Sequence, residues 1–118
     1  IAVHSKRLLI VMRMSPKTFV EKCDYITSPG NYSFGKSRKE WGLPGGGPTK
    51  VITDLGVCEF VDNEMTLTEM YPGVTVDQVK AACGWPLKIA ANVKSSEPGT
   101  SNDVRLLREK LDPQKLYL

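Results

Sequence analysis

The side chains able to do covalent or metal chemistry are few in this chain of 118 residues: three cysteines, Cys23, Cys58 and Cys83, and a single histidine, His4. The cysteines are odd in number, widely separated and without a C-x-x-C. A disulfide scaffold or a four-ligand zinc site is therefore not expected, and the thiols read as free and buried. A cysteine or serine nucleophile needs an adjacent base. His4, near the start of the chain, is the only imidazole available, which nearly excludes a classical triad. Anion binding has a better signal in Lys36-Ser37-Arg38-Lys39, which sits within residues 30–48 among six glycines, two prolines, Tyr32, Phe34 and Trp41. Cations beside glycines let side chains and backbone N–H groups approach phosphate oxygens. Neither G-x-x-x-x-G-K-[ST] nor a strand-to-helix G-x-G-x-x-G is present, however, so a solvated charge run is the competing reading.

The framework that must hold these residues has the composition of an ordinary globular domain, with 41% hydrophobic and 25% charged residues and a net charge of +3. That charge is uneven. Residues 1–50 carry nine Lys/Arg against three Asp/Glu, while residues 51–118 carry seven against ten. Aromatic and β-branched residues are too frequent for a disordered chain, and no apolar run approaches the ~20 residues needed to span a bilayer. The chain opens on Ile1 without the basic-then-apolar order of a signal peptide, so a piece of a longer protein is expected. The cysteine usage points to the cytoplasm.

Leu8-Leu9-Ile10-Val11-Met12 between Arg7 and Arg13 predicts a strand buried on both faces, as in a parallel sheet under helices. Residues 18–26 fit a helical face or an extended segment equally well, and Ser28-Pro29-Gly30 ends either. Residues 30–48 read as a long glycine-rich loop, of the kind that forms a lid, a binding loop or a disordered insert. Residues 49–54, 56–61 and 65–70 are strand-like. The last two form a hairpin with Asn63 in the left-handed turn position and Met65 and Leu67 facing the core, opposite Thr66 and Thr68. After Tyr71-Pro72-Gly73 a helix is expected, with Thr75 as N-cap, Gln78 closing a capping box and Val74 stapled to Val79. Its apolar face is Val76, Val79 and Cys83, and Gly84 and Pro86 stop it. Residues 85–90 read as extended, residues 95–102 as a polar connection, and residues 103–111 as a last helix with Val104, Leu107 and Leu111 on one face. Asp112-Pro113 ends it. The fold class is α/β.

Taken in order, Phe19-Val20-Glu21-Lys22, Ile26-Thr27-Ser28-Pro29-Gly30, Val51-Ile52-Thr53-Asp54-Leu55-Gly56-Val57, Tyr71-Pro72-Gly73-Val74-Thr75 and Leu111-Asp112-Pro113 resemble the C-terminal part of the beta subunit of the glutaconate-type and 3-oxoacid coenzyme A transferases. The resemblance runs from about Lys6 to the end. It implies a ribose-phosphate-isomerase-like α/β fold, a mostly parallel sheet with an antiparallel hairpin, residues 1–118 being only part of the full domain. It also implies transfer of coenzyme A between an acyl-CoA and a free carboxylic acid through a glutamyl-CoA thioester. The nucleophilic glutamate of such enzymes lies in an E-x-G context early in the beta chain. Glu21, Glu40, Glu59, Glu64, Glu69, Glu97 and Glu109 are all read as standing in the wrong context for it, so no catalytic residue is expected in this chain, and no metal ligand is expected either.

The implied partners are the CoA-transferase alpha subunit, the N-terminal part of the beta subunit, and the acyl-CoA and acid substrates, in a hetero-oligomer without nucleic acid or membrane. Coenzyme A is substrate rather than bound cofactor. Ser28, Pro29, Gly30, Leu55, Gly56 and Val57 are the expected walls of its pocket, because glycine permits close backbone approach to a thioester or pantetheine; the competing reading is turn and bulge glycines. Lys36, Arg38 and Lys39 are the expected phosphate contacts. Two other functions compete: a CoA-dependent acyl hydrolase of the same superfamily, and a noncatalytic anion- or nucleic-acid-binding module using the basic loop with Tyr32 and Trp41.

Overall fold

A computed structural model describes residues 1–116. Seven strands and two short helices follow one another: β1 Leu8–Val11, β2 Tyr32–Ser33, β3 Lys36–Ser37, β4 Pro48–Ile52, β5 Gly56–Val61, β6 Glu64–Met70, α1 Val76–Ala81, β7 Lys88–Ser95 and α2 Ser101–Leu106, the last continuing as a π-helical turn, Leu107–Leu111. Five strands form one sheet in the order β1-β4-β5-β6-β7, and β2 with β3 forms a separate small hairpin. The pairs β1/β4 and β6/β7 are parallel and β4/β5 and β5/β6 antiparallel, so four strands share one direction and β5 alone runs against them.

Register places the core. Ile10, Val51, Cys58, Leu67 and Ile89 are partners across all five strands, and this row packs with Met14, Phe19, Val79, Cys83 and Leu87 on one side of the sheet. The adjacent row, Leu9, Lys50, Glu59, Thr66 and Lys88, belongs to the other face, because successive strand residues alternate. There Lys50 and Glu59 pair at 2.7 Å. Helix α1 connects the parallel strands β6 and β7 and buries Val79 fully. Its capping box is the expected one: Gln78 N donates to the Thr75 hydroxyl and Thr75 N to the Gln78 side chain.

The turn between β5 and β6 is two residues, Asp62 and Asn63, both at positive φ, which is the backbone that right-twisted hairpins favour. Before that turn, the β5/β6 register shifts between Val57 and Cys58. Thr66 is buried rather than solvent-facing, flanked by the long side chains of its register partners Glu59 and Lys88. A second correction concerns β1. It is an edge strand, and Leu9 and Val11 are 46% and 75% exposed, since among the described residues this strand packs on the core only through its Ile10 side. The ambiguous residues 18–26 form neither helix nor strand, although Phe19 is buried and stacks on Trp85. The final helix begins earlier than expected, because Thr100 and Asp103 form a second capping box, and Val104, Leu107 and Leu111 stay exposed. Cys58 and Cys83 are buried free thiols, as read from sequence, whereas Cys23 is exposed.

Candidate functional site

Residues 30–48 are built, not loose. Strands β2 and β3 meet through Phe34 (φ 51°) and Gly35 (φ 75°). Ser37 then opens a single turn: the Glu40 carboxylate accepts from Ser37 N at 2.7 Å and from its hydroxyl at 2.6 Å. These bonds hold the Glu40 carboxyl below its usual pKa. The turn closes as a Schellman motif, with Leu43 N donating to the Arg38 carbonyl, Gly42 N to that of Lys39, and Gly42 at φ 66°. Lys36 Nζ lies 5.1 Å over the Trp41 ring, and Trp41 Nε1 donates to the Ser33 carbonyl.

Arg38 is the hub of this segment. Its side chain is only 8% exposed. Nε donates to the Gly45 carbonyl at 2.9 Å, Nη1 to those of Pro29 and Gly30 at 3.2 Å each, and Nη2 to that of Val3. One guanidinium therefore joins four chain segments through neutral carbonyls, and no carboxylate among the described residues pairs with it.

The three consecutive glycines are seats for this packing. A Cβ at Gly45 would stand 2.2 Å from the Val3 carbonyl oxygen, one at Gly46 2.2 Å from that of Lys6, and one at Gly47 2.4 Å from the Asn31 side chain. Gly46 N also donates to the Ser5 carbonyl. Gly45 and Gly46 pack closely against the backbone of residues 3–6 and Gly47 against the Asn31 and Arg38 side chains, and this accounts for a glycine run that carries no phosphate-loop spacing.

The expected pocket residues fall into two places. Pro29 and Gly30 lend their carbonyls to Arg38, and Pro29 also lines a small apolar recess of about 220 Å³ with Ile26, Phe34, Trp41 and Leu43. Ser28 is exposed. Leu55, Gly56 and Val57 lie at the turn from β4 to β5, where Leu55 N and Gly56 N donate to the Thr53 hydroxyl. A Cβ at Gly56 would meet the Glu69 carbonyl oxygen at 2.2 Å. The two groups flank opposite ends of the five-residue β4, roughly 17 Å apart at the usual rise per strand residue.

Of the expected phosphate contacts, Lys36 and Lys39 are exposed. Arg38 has four of its five N–H donors engaged by carbonyls, so it supplies positive potential and order rather than a free fork. Lys39 lines a cleft of about 400 Å³ that also touches Asn31, Gly46, Thr49, Phe60 and Asn63. Sequence reasoning missed the other cations of this region, Lys6 and Arg7, which line a neighbouring cleft with Ser5, Gly46 and Thr49. Their signal was the paired cations directly before the first strand.

Groups for covalent work are not assembled here. Glu40-Trp41-Gly42 does have E-x-G spacing, but its carboxylate caps the Ser37 turn and its glycine ends that turn, so the spacing has a structural account. Burial pushes the Cys58 thiol up to about 11, with Cys83 adding to the shift. No group of three or more His, Cys, Asp or Glu among the described residues is placed to hold a metal ion, and no helix among them is long and apolar enough to cross a membrane.

What remains is a mixed sheet with one crossover helix and an ordered cationic loop, an α/β unit. The chain belongs to the coenzyme A transferase family: the family model described as "Coenzyme A transferase" matches residues 1–82. It is 41% identical over 110 residues to the beta subunit of the 3-oxoadipate CoA-transferase of Pseudomonas knackmussii, covering 92% of this chain and 42% of that protein. It is 32% identical to the beta subunit of the glutaconate CoA-transferase of Acidaminococcus fermentans, covering 100% of this chain and 45% of that one. The crystal structure of the Acidaminococcus fermentans glutaconate enzyme superposes with a TM-score of 0.81 at 31% identity, over 98% of this chain and 45% of that chain. The chain thus spans less than half the length of these relatives.

Proposed function

We propose that these residues form the C-terminal portion of the beta subunit of an acyl-CoA:carboxylate CoA-transferase. The observation that carries this is the 0.81 TM-score over 98% of the chain to a glutaconate CoA-transferase. In the reading, a glutamate outside residues 1–118 attacks the thioester carbonyl and expels the CoA thiolate, giving an acyl-glutamyl anhydride. The thiolate then attacks the glutamyl carbonyl, releases the first acid and leaves a glutamyl-CoA thioester. An incoming carboxylate reverses both steps.

This chain contributes framework and binding surface, and coenzyme A enters as substrate. The alpha subunit and the remaining part of the beta subunit complete the site in a cytoplasmic hetero-oligomer. Ser28, Pro29 and Gly30 at the Arg38 hub, and Leu55, Gly56 and Val57 at the β4–β5 turn, are proposed walls for the thioester arm. Lys36 and Lys39 are proposed to attract its phosphates, with Arg38 ordering the loop that carries them.

The test is an exchange assay on the complete enzyme, with an acyl-CoA and a free carboxylic acid as substrates. Transfer predicts a new acyl-CoA formed in step with loss of the old one and no net release of free thiol. Release of CoA thiol without a new thioester would assign hydrolysis instead.

A further inference from the structure

The two clefts share Gly46 and Thr49 as lining residues, so they adjoin at the backbone that enters β4 as two halves of a groove. Lys6 and Arg7 line one half and Lys39 the other, all exposed. None of the three pairs with a carboxylate among the described residues, and no Asp or Glu lines either half. Arg38 also lines the Lys39 half, a buried cation satisfied only by carbonyl dipoles, whose charge is less screened than a surface charge would be. The Asn63 side-chain amide, without a partner among the described residues, also lines the groove. Gly45 and Gly46 pack closely against the backbone of residues 3–6, which orders this surface. A concave, one-signed, preorganised surface of this kind raises the local concentration of polyanions.

We infer that this groove holds the 3′-phosphorylated ADP end of coenzyme A, with Lys6, Arg7 and Lys39 on its phosphates. The inference rests on the CoA-transferase reading above. It moves the phosphate site from residues 36–39 alone to a surface that the N-terminal segment completes. Exposed charge contacts are individually weak but act together, and they fade with salt.

The experiment compares two donor thioesters on the complete enzyme: an acyl-CoA, and the same acyl group on pantetheine, which lacks the nucleotide. The readout is the ratio of their kcat/KM values, which does not depend on how much of the enzyme is active. Replacing Lys6, Arg7 and Lys39 together by Gln should lower that ratio at least about tenfold, the order expected when three exposed charge contacts are lost together. In the wild type the ratio should fall as salt rises, and in the variant that salt dependence should flatten. All three side chains are exposed, so folding is retained; Lys17→Gln, outside both clefts, serves as the charge-loss control and should leave the ratio near the wild-type value. An unchanged ratio in the triple variant, with the wild type active on acyl-CoA, overturns the groove and leaves the transferase reading standing. A wild-type enzyme that neither turns over nor binds any CoA thioester removes that reading and the groove with it.

Discussion

Arg38 shows how one side chain organises a segment. Its fork reaches four carbonyls from three other stretches of chain, and a lysine ammonium cannot reproduce that planar geometry. Arg38→Lys should lose about 2–4 kcal/mol of stability, because several buried carbonyls are left without donors at roughly 1–3 kcal/mol each. Denaturant unfolding would read the loss, and limited proteolysis should newly cut residues 30–48. Cys58 makes a separate prediction from its pKa. The folded thiol keeps its proton up to about 11 against an ordinary value of 9.0, so the unfolded state releases it first. Stability is therefore lost as pH rises from 9 towards 11, by the linkage between bound protons and folding. A Cys58→Ala variant, compared across that window by denaturant titration, should show a shallower decline than the wild type. An equal slope would mean that burial does not perturb this thiol.

At the level of elements, the fold rests on close backbone approach as much as on apolar burial. Gly56→Ala puts a methyl 2.2 Å from the Glu69 carbonyl oxygen and should cost about 2–3 kcal/mol or more, as overpacking does. Gly30→Ala meets nothing within 4 Å and should stay within about 0.5 kcal/mol. If the Gly30 change spares stability yet raises KM for acyl-CoA in the complete enzyme, Gly30 is a pocket wall.

Local signals were legible in the sequence where they are self-contained. Thr75 with Gln78 fixed α1, and Asp62-Asn63-Glu64 fixed the β5–β6 hairpin. The same reading passed over Ser37 with Glu40 and Thr100 with Asp103, which carry an equivalent cap signature, because the first lay inside a glycine-rich stretch and the second inside a polar connection. The roles of Arg38 and Gly45-Gly46-Gly47 could not be read locally: they depend on Val3, Lys6 and Asn31, brought alongside only by tertiary folding. The two-faced burial expected for β1 failed for a similar reason, since a strand's apolar content does not say what covers it.

At the scale of the whole molecule, the exposed side chains of Leu9 and Val11 on β1, and of Val104, Leu107 and Leu111 at the last helix, leave apolar surface uncovered among the described residues. The 118-residue chain by itself should therefore bind a hydrophobic dye and self-associate; a dilution-resistant monomer in light scattering, without dye binding, would contradict this. The central claim is that these residues frame a CoA-transferase whose covalent step happens elsewhere in the protein. The most direct test is to incubate the complete enzyme with acyl-CoA alone, reduce with borohydride and map the modified peptide. One reduced glutamate outside residues 1–118 is expected, with Glu40 unmodified despite its E-x-G spacing. A reduced glutamate within residues 1–118 would contradict it.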